Sequence, residues 1–108
     1  MKKSELVSLV LDIVSRETEV DVNEITGRGR SSEIVDARHL TAMTLYKAGM
    51  YVSSIAETIG VTPRYVQYII TDFEDRICCN PSLRKSYEIV ANKLRNRLET
   101  NTLVHYNG

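Results

Sequence analysis

Arg64, Gln67, Tyr68 and Thr71 stand at intervals that bring them to one face of a helix, because residues three and four positions apart stack on a helix surface. The forked donor sets of arginine and glutamine match base edges in the DNA major groove, and tyrosine and threonine suit phosphates or a thymine methyl group. Thr62 and Pro63 come just before them. Threonine caps a helix and proline fits its first position, so Thr62 and the amides near Pro63 offer a phosphate the positive end of the helix dipole. A second cationic group lies upstream, where Arg28 and Arg30 alternate with glycines in the stretch GRGRSS, residues 27–32. These two arginines are either a second DNA contact or charges that only solubilise a loop.

Such a face needs two short helices held tightly together. The stretch SSIAETIGVTPRYVQYII, residues 53–70, places apolar or small residues at Ile55, Ala56, Ile59, Val61, Val66 and Ile69. A helix-turn-helix needs a small residue where its helices touch and a glycine where the chain reverses, and Ala56 and Gly60 supply them. Val66 and Ile69 then pin the second helix to the core, leaving Pro63, Arg64, Gln67, Tyr68 and Thr71 outward.

The remaining periodicity is also helical, and no convincing strand emerges. Leu6, Val7, Leu9, Val10, Ile13 and Val14 predict a first helix from about Ser4 to Arg16. A short turn follows over Val22 to Thr26, and Ser31 or Ser32 caps a longer helix ending near Ala48, with Gly49 as its stop. That helix turns Ile34, Ala37, Leu40 and Met43 or Tyr46 inward. Asn80 and Pro81 start a last helix to about Glu99, with an apolar stripe of Leu83, Tyr87, Val90, Leu94 and Leu98. The expected fold is all-α: a small domain of five to six helices containing a helix-turn-helix, over residues 1–99 with an N-terminal helix in 1–20. A flexible tail is expected at 100–108.

Composition narrows the function. A chain of 108 residues with 43% hydrophobic and 26% charged side chains suits one globular domain. Fourteen basic and fourteen acidic residues cancel, but unevenly. Residues 1–75 hold eight basic and twelve acidic side chains, net −4, and residues 76–108 six and two, net +4. The basic third is either an electrostatic footprint or a solvated helix face. Cys78 and Cys79 are adjacent, a spacing that strains a disulfide, and His39 and His105 lie at no metal-ligand spacing. Reduced thiols in a cytoplasmic protein are expected, with no metal and no cofactor. The opening MKKSELVSLVLDIVS is interrupted by Glu5 and Asp12, so it reads as an amphipathic helix and not a signal peptide; no stretch is apolar enough for a membrane span. There is no phosphate-binding glycine loop, nucleophile elbow or His-Glu metal motif, and no enzyme is expected.

The order of elements adds a resemblance. A short helix, the basic loop GRGRSS, the long helix EIVDARHLTAMTLYKAG with its Ala37-Arg38 and Ala42-Met43 pairs, the motif helix SSIAETIG and a closing helix follow one another from about Val22 to Leu98. This stretch resembles the C-terminal DNA-binding domain of the bacterial chromosomal replication initiator DnaA. In that family a basic-loop arginine enters the minor groove beside the major groove read by the second motif helix, which implies that role for Arg28 or Arg30. The family's recognition helix carries G-R-D-H-[ST]-T-V, where this chain has Gly60-Val61-Thr62-Pro63-Arg64-Tyr65-Val66 and keeps only the glycine and the valine. The resemblance thus implies the fold and the groove geometry, with the residues that read the initiator's DNA box replaced. The family's ATPase domain has no counterpart here.

The expected function is binding of double-stranded DNA through the helix-turn-helix, sequence-specifically, in regulation of transcription or replication, alone, as a homodimer or with a protein partner. The alternative is a helix-turn-helix turned to protein interaction, consistent with zero net charge. Arg38 is expected to pair with Glu33 or Asp36 on its own helix, Tyr65 to pack rather than protrude, and His39 to stand alone. Asp72, Glu74 and Asp75 are expected to face away from DNA or to oppose it.

Overall fold

The structure is a computed structural model and describes the backbone of residues 2–107 and the side chains of residues 2–99. Among the described residues there are six helices and no strand: α1 (Lys3–Thr18), α2 (Val22–Ile25), α3 (Ser32–Lys47), α4 (Val52–Ile59), α5 (Pro63–Cys79) and α6 (Pro81–Asn107). Of the tail expected at 100–108, residues 100–107 continue the backbone of α6, while Gly108 and the side chains from residue 100 onward lie outside the described residues.

Helix starts follow local hydrogen bonding. Ser31 Oγ accepts the Ile34 amide at 3.3 Å, Thr62 Oγ1 the Tyr65 amide at 3.1 Å, and Asn80 Oδ1 the Leu83 amide at 3.1 Å. Each cap satisfies an amide that the helix itself cannot bond. Of the two serines open from the sequence, Ser31 is therefore the cap of α3.

The centre of the molecule is α3. Every residue from Ala37 to Leu45 is buried, so this helix is covered on all sides instead of along one stripe. α1, α4, α5 and α6 all pack on it. Met43 is buried and Tyr46 exposed, which settles the inward position. Four buried polar side chains come with this placement, and each has a partner. Thr41 and Thr44 donate to the Ala37 and Leu40 carbonyls of their own helix at 2.9 and 2.7 Å. Arg38 and His39 reach outward to the loop and to α5 and are taken up below. Around α3 the fully buried side chains include Val10 and Val14 of α1, Ile25 of α2, Ile55 and Ile59 of α4, Val66, Ile69 and Phe73 of α5, and Val90 of α6. At roughly 1.5–3 kcal/mol for each large apolar side chain taken from water, this shell is the main source of stability.

Candidate nucleic-acid interface

α4 ends in a left-handed residue, Gly60 at φ 72°. A side chain there strains the backbone, and a β-branched one most. The Gly60 and Val61 amides both return to the Ala56 carbonyl, closing the end of α4, and the chain enters α5 three residues later. Ala56, Ile55 and Ile59 are buried on one side of the turn, Val66 and Ile69 on the other. This is the expected helix-turn-helix. The neighbour of Gly60 is not the facing helix but the Thr26 carbonyl at the end of α2: a Cβ on Gly60 would lie 3.3 Å from it. The turn of the motif therefore abuts the residue that opens the GRGR loop.

All of the sequence-predicted contact residues are exposed: Thr62, Pro63, Arg64, Gln67, Tyr68 and Thr71 on α5 and its cap, and Arg28 and Arg30 on the loop. Their hydrogen bonding refines their chemistry. In the first turn of α5, Pro63 has no N–H, the Tyr65 amide goes to Thr62 Oγ1 and the Val66 amide to the Thr62 carbonyl. The Arg64 amide and the Thr62 hydroxyl proton are the donors left to meet an anion at the helix tip. Thr71 donates its hydroxyl proton to the Gln67 carbonyl at 2.9 Å, so it presents its methyl group rather than a donor. Tyr68 stands 55% exposed with its ring stacked on Tyr65, centroids 6.0 Å apart.

The loop is not a loose chain of glycines. Arg38, 6% exposed, donates from Nε to the Ile25 carbonyl at 2.9 Å and from Nη2 to those of Gly27 at 2.9, Gly29 at 3.1 and Glu24 at 3.3 Å. The expected pairing of Arg38 with Glu33 or Asp36 is thereby corrected. A buried guanidinium is stabilised here by the dipoles of four main-chain carbonyls, two of them at the negative end of α2. Asp36 pairs instead with Arg76 of α5.

His39 is not alone either. It lies 5% exposed between α3 and α5, with Nε2 3.0 Å from Tyr65 Oη and Nδ1 2.7 Å from Arg76 Nη1. Since a guanidinium only donates, Nδ1 is the acceptor, the ring proton sits on Nε2, and Nε2–H donates to the tyrosine oxygen. Burial, and then the Arg76 cation, push the His39 pKa from 6.5 down to about 4, with Arg38 adding to them and Asp36 and Asp72 opposing. A neutral imidazole thus links Tyr65, and through it Tyr68, to the Arg76–Asp36 pair. Tyr65 is half-buried, as expected.

The acidic residues after the contact face divide. Glu74 lies 3.9 Å from Lys47 at the C-terminal end of α3. Asp72 is half-buried near His39, and Asp75 is exposed. On the basic α6, Arg84 and Lys93 have carboxylates at 3.9 Å, Glu88 and Glu17 respectively. No helix among the described residues is long and apolar enough to cross a membrane. No protein-family model matches the chain, and no curated protein matches it.

Proposed function

We propose that the chain binds double-stranded DNA, with α5 in the major groove and the GRGR loop on the adjoining phosphates or minor groove. The observation that supports this reading is the approach of Gly60 to the Thr26 carbonyl, which brings the start of the loop that carries Arg28 and Arg30 to the turn preceding Arg64. Adjacent residues of α3, Arg38 and His39, bond the loop and α5 respectively, so both cationic elements hang on one buried helix.

Arg64 and Gln67 read base edges in this proposal; Thr62 and the Arg64 amide take a phosphate, and Thr71 offers a methyl contact to thymine. The proposed role is sequence-specific regulation of transcription or replication, and the proposed kinship is with the C-terminal domain of DnaA, on element order and loop placement. Selection of bound duplexes from a random pool, followed by gel retardation of the purified chain, tests it. A recovered consensus that shifts the chain more strongly than scrambled duplex is expected. No retardation by any duplex at low salt would refute DNA binding and favour the protein-interaction module.

A further inference from the structure

Arg38 bonds to carbonyls spread over residues 24–29, and both peptide neighbours of Arg28 are among them. The loop runs from the end of α2 to the cap of α3 around this single guanidinium. Its entry is tight as well: a Cβ on Gly27 would lie 2.8 Å from the Asn23 carbonyl oxygen. Holding the main chain on both sides of Arg28, and one residue before Arg30, limits the directions in which the two exposed arginines project.

We infer that Arg38 is a positioning residue for DNA recognition, buried away from the nucleic acid and acting by preorganising the loop that carries Arg28 and Arg30; this rests on the DNA-binding reading. A loop already fixed in its bound shape does not have to be ordered on binding, and affinity rises accordingly. Lysine replaces Arg38 poorly, because it has no counterpart of the Nε–H that bonds the Ile25 carbonyl while Nη2 holds the loop, and its more strongly hydrated ammonium costs more to bury than a guanidinium. Charge alone is therefore not what the site requires.

The test compares the parent, Arg38→Lys, Arg28→Ala/Arg30→Ala and the combined triple variant for affinity to the selected duplex at several salt concentrations. Melting and trypsin cleavage after Arg28 and Arg30 are followed alongside. Arg38→Lys keeps the net charge, yet it should bind about tenfold more weakly, the scale set by re-ordering one or two long side chains. Its plot of log affinity against log salt should flatten by about one unit for each phosphate no longer neutralised, as in the double alanine variant. The triple variant should bind no worse than the double, and trypsin should cut the loop faster in Arg38→Lys than in the parent. A folded Arg38→Lys with parental affinity and salt slope would overturn the inference, as would a loss that adds in full to that of the double variant. Should Arg38→Lys fail to melt cooperatively, Gly27→Ala displaces the loop with Arg38 kept; it should show the same loss, and parental binding there would overturn the inference. A parent that binds no duplex would bring down the functional reading itself, an outcome distinct from a parent that binds and an Arg38→Lys that binds equally well.

Discussion

Acid should loosen this protein through one imidazole. The His39 pKa is depressed in the folded chain, from 6.5 to about 4, so the folded state binds fewer protons than the unfolded state between those values. The corresponding stability is fully present above pH 6.5 and is lost as pH falls towards 4. The whole window corresponds to roughly 3 kcal/mol at 1.36 kcal/mol per pKa unit, and about 2 kcal/mol of it is gone by pH 5. For a domain of this size that lowers Tm by roughly 10 °C. The physical reason is geometric, since protonating Nδ1 would set an N–H against the Arg76 guanidinium that now donates to it across 2.7 Å. Calorimetric or circular-dichroism melts of the parent and of His39→Gln, at steps from pH 7.5 to pH 5, provide the assay. Glutamine offers an acceptor and a donor but has no proton to gain, so carboxylates elsewhere titrate in both chains and cancel in the comparison. The parent should lose about 2 kcal/mol more than the variant over that interval. Equal slopes, or an imidazole that titrates near 6.5 by NMR, would show that burial and Arg76 do not hold His39 neutral.

Gly60→Val should cost about 1–3 kcal/mol, because a β-branched residue is forced to positive φ with its Cβ against the Thr26 carbonyl; an unchanged Tm would contradict the turn described. Arg64→Ala and Gln67→Ala should each cost about 1–3 kcal/mol of binding on the best duplex and relax the selected consensus. Equal loss on every duplex would make them phosphate contacts, and no loss would take α5 out of the interface. Arg28→Ala/Arg30→Ala should leave Tm nearly unchanged, since both side chains are exposed, while reducing the salt dependence of binding by about one unit for each phosphate left without its arginine. The weakening should be larger on A·T-rich flanks, whose narrow minor groove attracts arginine; unchanged salt slope and affinity would exclude the loop from the interface.

The fold was legible because its signals are local. Thr62 followed by Pro63, Asn80 followed by Pro81, and Ser31 mark helix starts through side chains that bond amides three residues on. The apolar spacing of α5 and α6 identifies Val66, Ile69, Val90 and Leu94 as inward, and they are buried. Periodicity was less informative for α3, since a helix covered on all sides has no polar face to reveal its orientation. Hence Arg38 and His39 were expected to have local roles or none. Their partners lie 9–14 and 26–37 residues away in sequence, beyond the reach of any spacing rule. One signal was available: a helix that reads as core on most positions yet carries an adjacent arginine and histidine must satisfy both when it is buried.

Burial of that pair also accounts for how the two proposed contact elements, unlike as they are, hold one geometry. An exposed face is easily made, since α5 needs only Val66, Ile69 and Phe73 inward to leave its other side in water. The relation between that face and a loop more than thirty residues earlier needs something stiffer than a chain connection. Arg38 holds four carbonyls of the α2–loop segment, and its neighbour His39 bonds Tyr65 in the first turn of α5 and Arg76 near its end. Both anchors belong to one turn of a helix packed on all sides, so neither can shift without opening the core. The turn at Gly60 closes the arrangement from the other side, against Thr26. In the proposed complex the major-groove helix and the loop arginines are thus set at a fixed separation before DNA arrives. The cost of ordering them then falls on folding rather than on binding.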